Sequence, residues 1–135
     1  MALITWNSNL SVNVKGLDLQ HQKLFDTINK LHDAMSKGQA NTQLSSLLNE
    51  LIGYTKTHFK SEEDLFNKYN YPDKEKHKTQ HDGFVNKIEE LRIKYSEGKT
   101  NLSLELMTFL NTWLIEHIKK MDKAYSEFMN SKGVE

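Results

Sequence analysis

Residues 44–66 read LSSLLNELIGYTKTHFKSEEDLF, and the periodicity of this stretch decides the fold. Leu44, Leu47, Leu51 and Tyr54 recur at steps of three and four between polar residues, the period of a helix that buries one face. The same stripe continues directly into His58, Glu62 and Leu65. An imidazole and a carboxylate one turn apart are therefore aimed at the core, where each costs free energy unless something partners it. The stretch predicts a long amphipathic helix, from about Asn41 to Tyr69, with a chemical site buried beneath it. Asn70, Tyr71 and Pro72 end that helix.

Three further stripes flank it. One runs from about Asp18 to Lys37 through Leu24, Ile28, Leu31 and Met35, with Asp18 as the expected N-cap and Gly38 as the expected stop. Another starts near Asp73 and carries Phe84, Ile88, Leu91 and Tyr95 before Gly98. The last starts near Asn101 and carries Met107, Leu110, Leu114, Met121 and Tyr125. Four such helices on short connections predict an all-α, antiparallel up-down-up-down four-helix bundle over 17–135, because short loops force antiparallel neighbours. Residues 1–16 lack the period and predict an extended N-terminal arm anchored by Trp6. A single domain is expected at 135 residues.

Histidines and acids interrupt the apolar stripes on every helix. His21 precedes Leu24 and Ile28; His77 and His81 take the two stripe positions before Phe84; His117 follows Leu110 and Leu114. In an antiparallel bundle, the beginnings of helices one and three lie beside the ends of helices two and four. His21, His58, Glu62, His77, His81, His117 and Asp122 therefore converge at one end of the core. So many buried ionisable groups are destabilising unless neutralised, and metal ions satisfy them. His32 is set apart, since it lies about 20° round the helix from His21 but roughly 16 Å further along it. Asp122 poses the opposite difficulty: five residues after His117 is about 140° round an ideal helix, so either it reaches in from the edge or a π-bulge realigns it.

Composition narrows the chemistry. Eighteen basic and eighteen acidic residues balance, so no polyanion or anionic membrane is favoured, and nucleic acid is not an expected partner. The absence of cysteine leaves histidine nitrogen and carboxylate oxygen as the available metal donors. Residues Met1 to Leu10 carry no basic region followed by an apolar run, and nowhere do about 18 apolar residues occur in succession. A soluble, cytoplasmic protein without membrane insertion is expected.

The order His21, His58 with Glu62 in H-F-K-S-E, His77 with His81 in H-K-T-Q-H, and His117 with Asp122 in H-I-K-K-M-D resembles the hemerythrins, and among them the single-domain bacteriohemerythrins. Asp18-Leu-Gln20-His21, the acidic run after His58, Tyr71-Pro72 and Trp113-Leu114 are similar to the same pattern, and the likeness covers essentially the whole chain. The resemblance implies a non-haem di-iron centre bridged by Glu62, Asp122 and a solvent-derived oxygen. It implies that one iron takes His77, His81 and His117, while the other takes His21 and His58 and keeps a position open for dioxygen. It further implies that Leu114 flanks the oxygen pocket. Phe25, Ile28, Tyr54 and Ile118 are further wall candidates that read first as ordinary core, and Gln20 either orients a ligand imidazole or is a solvated side chain. A partner such as methane monooxygenase is compatible with the resemblance. A monomer is expected, as no strong apolar face lies outside the stripes.

The ligand count argues for a carrier and against an enzyme. Ferritin-like di-iron enzymes use four carboxylates and two histidines; two carboxylates and five neutral imidazoles stabilise high oxidation states less, so oxygen is expected to leave as it came. The competing readings are a di-iron enzyme acting on peroxide or nitric oxide, and an oxygen or iron sensor. A structural bundle holding adventitious zinc is the bland alternative.

Overall fold

The computed structural model describes residues 4–37, 41–96 and 102–135, with helical side chains described over 15–36, 45–94 and 106–135. All regular structure among them is helical, and no helix is long and apolar enough to cross a membrane. The helices are α1 (Lys15–Ser36), α2 (Asn41–Tyr69), α3 (Lys74–Ser96) and α4 (Leu102–His117). The last continues through a π-helical turn (Ile118–Asp122) into α5 (Lys123–Ser131), so that these three pieces form the fourth rod. Neighbouring rods run in opposite directions. Gln20 meets His58 while Lys23 lies over the Tyr54 ring; Glu63 meets His81 while Lys56 meets Glu89; Gln80 meets His117 while Phe84 packs on Phe109. This is the expected antiparallel four-helix bundle.

The ends of the rods have local causes. Asn70 takes a positive φ of 55° and the Tyr71 N–H reaches back to the Phe66 carbonyl, which closes α2 and turns the chain into the Pro72 connection. Asp18 is not the N-cap of α1. The helix begins at Lys15 behind an extended Val14, and the Asp18 carboxylate instead accepts the Val12 N–H at 2.9 Å and the Ser11 hydroxyl at 2.6 Å. It ties the arm down because the arm leaves backbone donors beside the helix's first turn. Further along the arm, Asn29 exchanges two hydrogen bonds with the Ile4 backbone, and Trp6 packs half-buried on the core. The expected stops at Gly38 and Gly98, the start at Asn101 and the side chains of Leu44 and Tyr95 lie outside the described residues.

The buried stripe of α2 differs from the apolar reading by a small rotation. Leu48, Leu51, Thr55, His58, Phe59, Glu62 and Phe66 are buried, whereas Leu47, Tyr54 and Leu65 sit half-exposed on its flank. The core falls into two apolar clusters. The larger holds Leu24, Phe25, Ile28, Leu51, Phe84, Ile88, Leu110, Leu114 and Ile118 among others; the smaller joins the arm's Val12 and Val14 to Leu17, Phe66, Tyr71, Tyr125 and Met129. The layer of inward histidines and acids falls between them in register along all four rods.

Candidate metal centre

Each rod delivers its polar residues to this layer by continuing its apolar stripe. His21 stands one turn before Leu24 on α1, His58 and Glu62 follow Leu51 on α2, His77 and His81 precede Phe84 on α3, and His117 follows Leu114 on α4. All seven expected donors are between 0 and 3% exposed, so water cannot compensate them. Their atoms form two overlapping groups, each within 4.8 Å. One contains Glu62, His77, His81, His117 and Asp122; the other contains His21, His58, Glu62 and Asp122. Both carboxylates are common to the two. Asp122 divides itself between them, with Oδ1 2.9 Å from His77 Nε2 and 3.0 Å from His117 Nε2, and Oδ2 3.1 Å from His21 Nε2. Glu62 Oε1 lies 3.1 Å from His81 Nε2 and 3.6 Å from His58 Nε2.

Asp122 reaches this layer through the π turn. The Lys123 N–H bonds to the Ile118 carbonyl, five residues back, and the backbone of His117, Asp122 and Lys123 stays in the right-handed helical region throughout. The turn takes up one extra residue without breaking the rod. An unbroken α-helix would turn Met121 inward; here Met121 is half-exposed and Asp122 is buried. Of the two ways for Asp122 to enter the core, the π-bulge is the one adopted.

The donor set fits a metal. The Nε2 atoms of His21, His77, His81 and His117, with Glu62 Oε1 and both Asp122 oxygens, are buried without hydrogen-bond partners, although carboxylates and imidazoles stand within 3 to 4 Å of one another. Buried polar atoms are ordinarily satisfied, and a cation satisfies all of these together. The profile of the Hemerythrin HHE cation binding domain family matches residues 12–128. This chain belongs to the hemerythrin family. It is 36% identical over 132 residues to a bacteriohemerythrin of Methylococcus capsulatus, covering 97% of this chain and all of that one. It is 39% identical over 120 residues to a hemerythrin-like protein of Naegleria gruberi, covering 89% of this chain and 88% of that one. A wild-type hemerythrin crystal structure superposes with a TM-score of 0.87 at 37% identity, covering 93% of this chain and 97% of that one.

Around the donors, this hemerythrin carries a ring of acceptors that its apolar periodicity does not reveal. His58 Nδ1 lies 2.6 Å from Gln20 Oε1, His81 Nδ1 2.9 Å from Glu63 Oε2, and His117 Nδ1 3.3 Å from Gln80 Oε1. Each acceptor sits on the preceding rod, next in sequence to that rod's own inward donor. Such bonds place the proton on Nδ1 and turn the Nε2 lone pair toward the centre. Of the two readings of Gln20, as orienting or as solvated, the bond to His58 Nδ1 selects the first, while Glu63 and Gln80 were legible only as neighbours of Glu62 and His81. Aromatic rings wedge the imidazoles: Phe59 stacks on His81 at 3.7 Å and Trp113 on His117 at 4.3 Å. Tyr125, expected as plain core, donates its hydroxyl to Glu62 Oε2 at 2.6 Å.

Electrostatics follow from burial and from this crowding. Desolvation opposes the charged form of His21, but the Asp122 and Glu62 carboxylates, 3.1 and 3.7 Å from its Nε2, overcome it and push the imidazole up to about 10. His58 shows the reverse: desolvation, reinforced by His21 and His81, outweighs the attraction of Glu62 and pulls it down to about 4. Asp122 and Glu62 remain well below the usual carboxylate range, because the surrounding imidazoles outweigh the cost of burying them. The two carboxylates therefore stand in the anionic form in which a cation takes their oxygens. His32 lies outside both donor groups and is half-buried. Leu114, Phe25, Ile28 and Ile118 are buried in the larger apolar cluster, with Tyr54 packed on its margin.

Proposed function

We propose that this hemerythrin binds dioxygen reversibly at two iron ions held in the donor layer. The observation that carries this reading is the pair of overlapping donor groups, which share Glu62 and Asp122 but hold three histidines in one and two in the other. Two shared carboxylates suit two neighbouring ions, and imidazole with carboxylate donors and no thiolate suits iron. His77, His81 and His117 would hold one ion and His21 and His58 the other, with Glu62 and Asp122 offering oxygens to both. Iron supplies the redox chemistry when bound, its ferrous form lending the electrons that hold dioxygen.

The chain's own residues do the rest. Gln20, Glu63 and Gln80 fix three imidazoles, and the subsite of His21 and His58 brings one donor fewer, which is the opening that dioxygen uses. Leu114 closes the wall above that layer and keeps out the water and protons that would make oxidation irreversible. Five imidazoles against two carboxylates favour release over cleavage of the O–O bond. Storage of oxygen and its delivery to an oxygen-consuming enzyme both draw on this property.

Anaerobic reduction of the iron-loaded protein, followed by oxygen and then argon, tests the proposal. Two irons per chain and a visible band that appears under oxygen and vanishes under argon are expected. Irreversible oxidation with catalytic consumption of peroxide or nitric oxide would transfer the reading to an enzyme. Zinc in place of iron ends both.

A further inference from the structure

One turn beyond the donors, each rod contributes a residue to a second layer. Leu24 lies three residues after His21, Thr55 three before His58, Phe84 three after His81 and Leu114 three before His117. Because α1 and α3 run opposite to α2 and α4, these offsets all point the same way, about 4.5 Å along the bundle axis. All four are buried, at 2 to 4% exposure, and three belong to the larger apolar cluster. Thr55 is the polar exception.

Its hydroxyl also differs from those of three other helical threonines. Thr27, Thr57 and Thr79 return their hydroxyls to the carbonyl four residues back, at 2.9 to 3.1 Å. Thr55 makes no such bond: its Oγ1 is buried without a hydrogen-bond partner. A buried hydroxyl left unmatched costs about 1–3 kcal/mol, and here an ordinary helical bond one turn away goes unused. Thr55 is buried on the stripe between Leu51 and His58, three residues before the α2 histidine of the two-histidine group.

We propose that Thr55 is a ligand-contacting residue whose hydroxyl donates a hydrogen bond to a small molecule, dioxygen or a linear anion, held at the His21 and His58 subsite. This rests on the function proposed above and adds a donor to it. The layer that excludes water is then not uniformly apolar. Leu24, Phe84 and Leu114 supply the dry wall, and Thr55 supplies one directed hydrogen bond, which slows departure of a ligand carrying partial negative charge.

Thr55→Val and Thr55→Ser in the iron-loaded protein separate the hydroxyl from the shape of the side chain. The probes are azide, titrated against the oxidised form, and dioxygen, followed as it leaves the reduced form under argon. T55V should weaken azide binding and speed oxygen loss by roughly tenfold each, the worth of one hydrogen bond, while iron content stays at the wild-type level. T55S should stay within about twofold of wild type. With its metal removed, T55V should be at least as stable as wild type, since an unmatched hydroxyl has been deleted. The inference is overturned if T55V matches wild type in both ligand measurements, or if T55S falls with T55V. If wild type itself forms no reversible adduct, the carrier reading fails and takes this one with it.

Discussion

The apolar half of the bundle and the donor layer are built on the same helical period but hold together for different reasons. In the larger cluster, Leu31, Leu51, Ile88, Leu91 and Leu110 are 0 to 1% exposed, and their burial stabilises the fold without help. One or two turns away, the same stripes bury seven ionisable side chains, which repel or desolvate one another unless a cation is present. A rod can thus carry a stabilising segment and a destabilising one in sequence, the first holding the second in place. Metal dependence should therefore be confined to the donor layer between the two clusters.

Removing Asp122 should break the comparison most severely. It belongs to both donor groups, so Asp122→Ala removes a shared oxygen donor from each, and bound iron should fall to background by metal analysis. Moving the carboxylate back one place should not repair this. In Met121→Asp with Asp122→Ala, the new carboxylate takes the half-exposed position of Met121, and iron should remain absent. Recovery of iron binding in that double variant would mean that the π turn is not what aims the carboxylate.

On the apolar side the converse holds. Leu110 is wholly buried in the larger cluster, and Leu110→Ala should cost about 2–5 kcal/mol in urea unfolding, equally with and without metal. Iron content should stay near the wild-type value. A variant that lost iron in proportion to its stability would show the two regions to be one cooperative unit.

Between these extremes lie the acceptors behind the imidazoles. Truncating Glu63 removes the carboxylate that holds His81 Nδ1 at 2.9 Å, and truncating Gln20 removes the amide that holds His58 Nδ1 at 2.6 Å. Glu63→Ala and Gln20→Ala should each weaken metal affinity about 10–100-fold, measured by competition with a chelator, with little change in the unfolding of the metal-free protein. Affinity unchanged in both would mean that stacking by Phe59 and the neighbouring rings alone fixes the imidazoles.

The bundle and the convergence of the donors were legible because they depend on period and chain direction, which local sequence carries. What was hard to read depends on what lies opposite. On α2 the apolar pattern favoured Tyr54 as the inward residue, yet Thr55 is buried and Tyr54 is half-buried. His58 and Glu62 set the rotation, and hydrophobicity ranks a threonine too low to compete. On α4 the distance of five residues from His117 to Asp122 did announce an irregularity, since one residue too many stood between two inward positions; only the backbone could say how it was absorbed. Gln20, Glu63, Gln80 and the Tyr125 hydroxyl answer to partners on other rods, and a stripe read on one helix contains no trace of them.

Asp18 gives the smallest and most local test. Its carboxylate binds the Val12 N–H and the Ser11 hydroxyl, and Val12 and Val14 enter the smaller cluster beside Tyr125. The arm therefore covers the donor layer from the side opposite Leu114, and Asp18 holds the part of the arm that does so. Asp18→Ala should cost about 1–2 kcal/mol, the worth of charge-assisted hydrogen bonds that water partly replaces. Because Asp18 is in neither donor group, iron content should not change, but release of iron to a chelator should quicken as the arm opens more often. Amide exchange at Val12 should rise with it, while the amides of Ile88 and Leu91, on α3 in the apolar half, keep their protection.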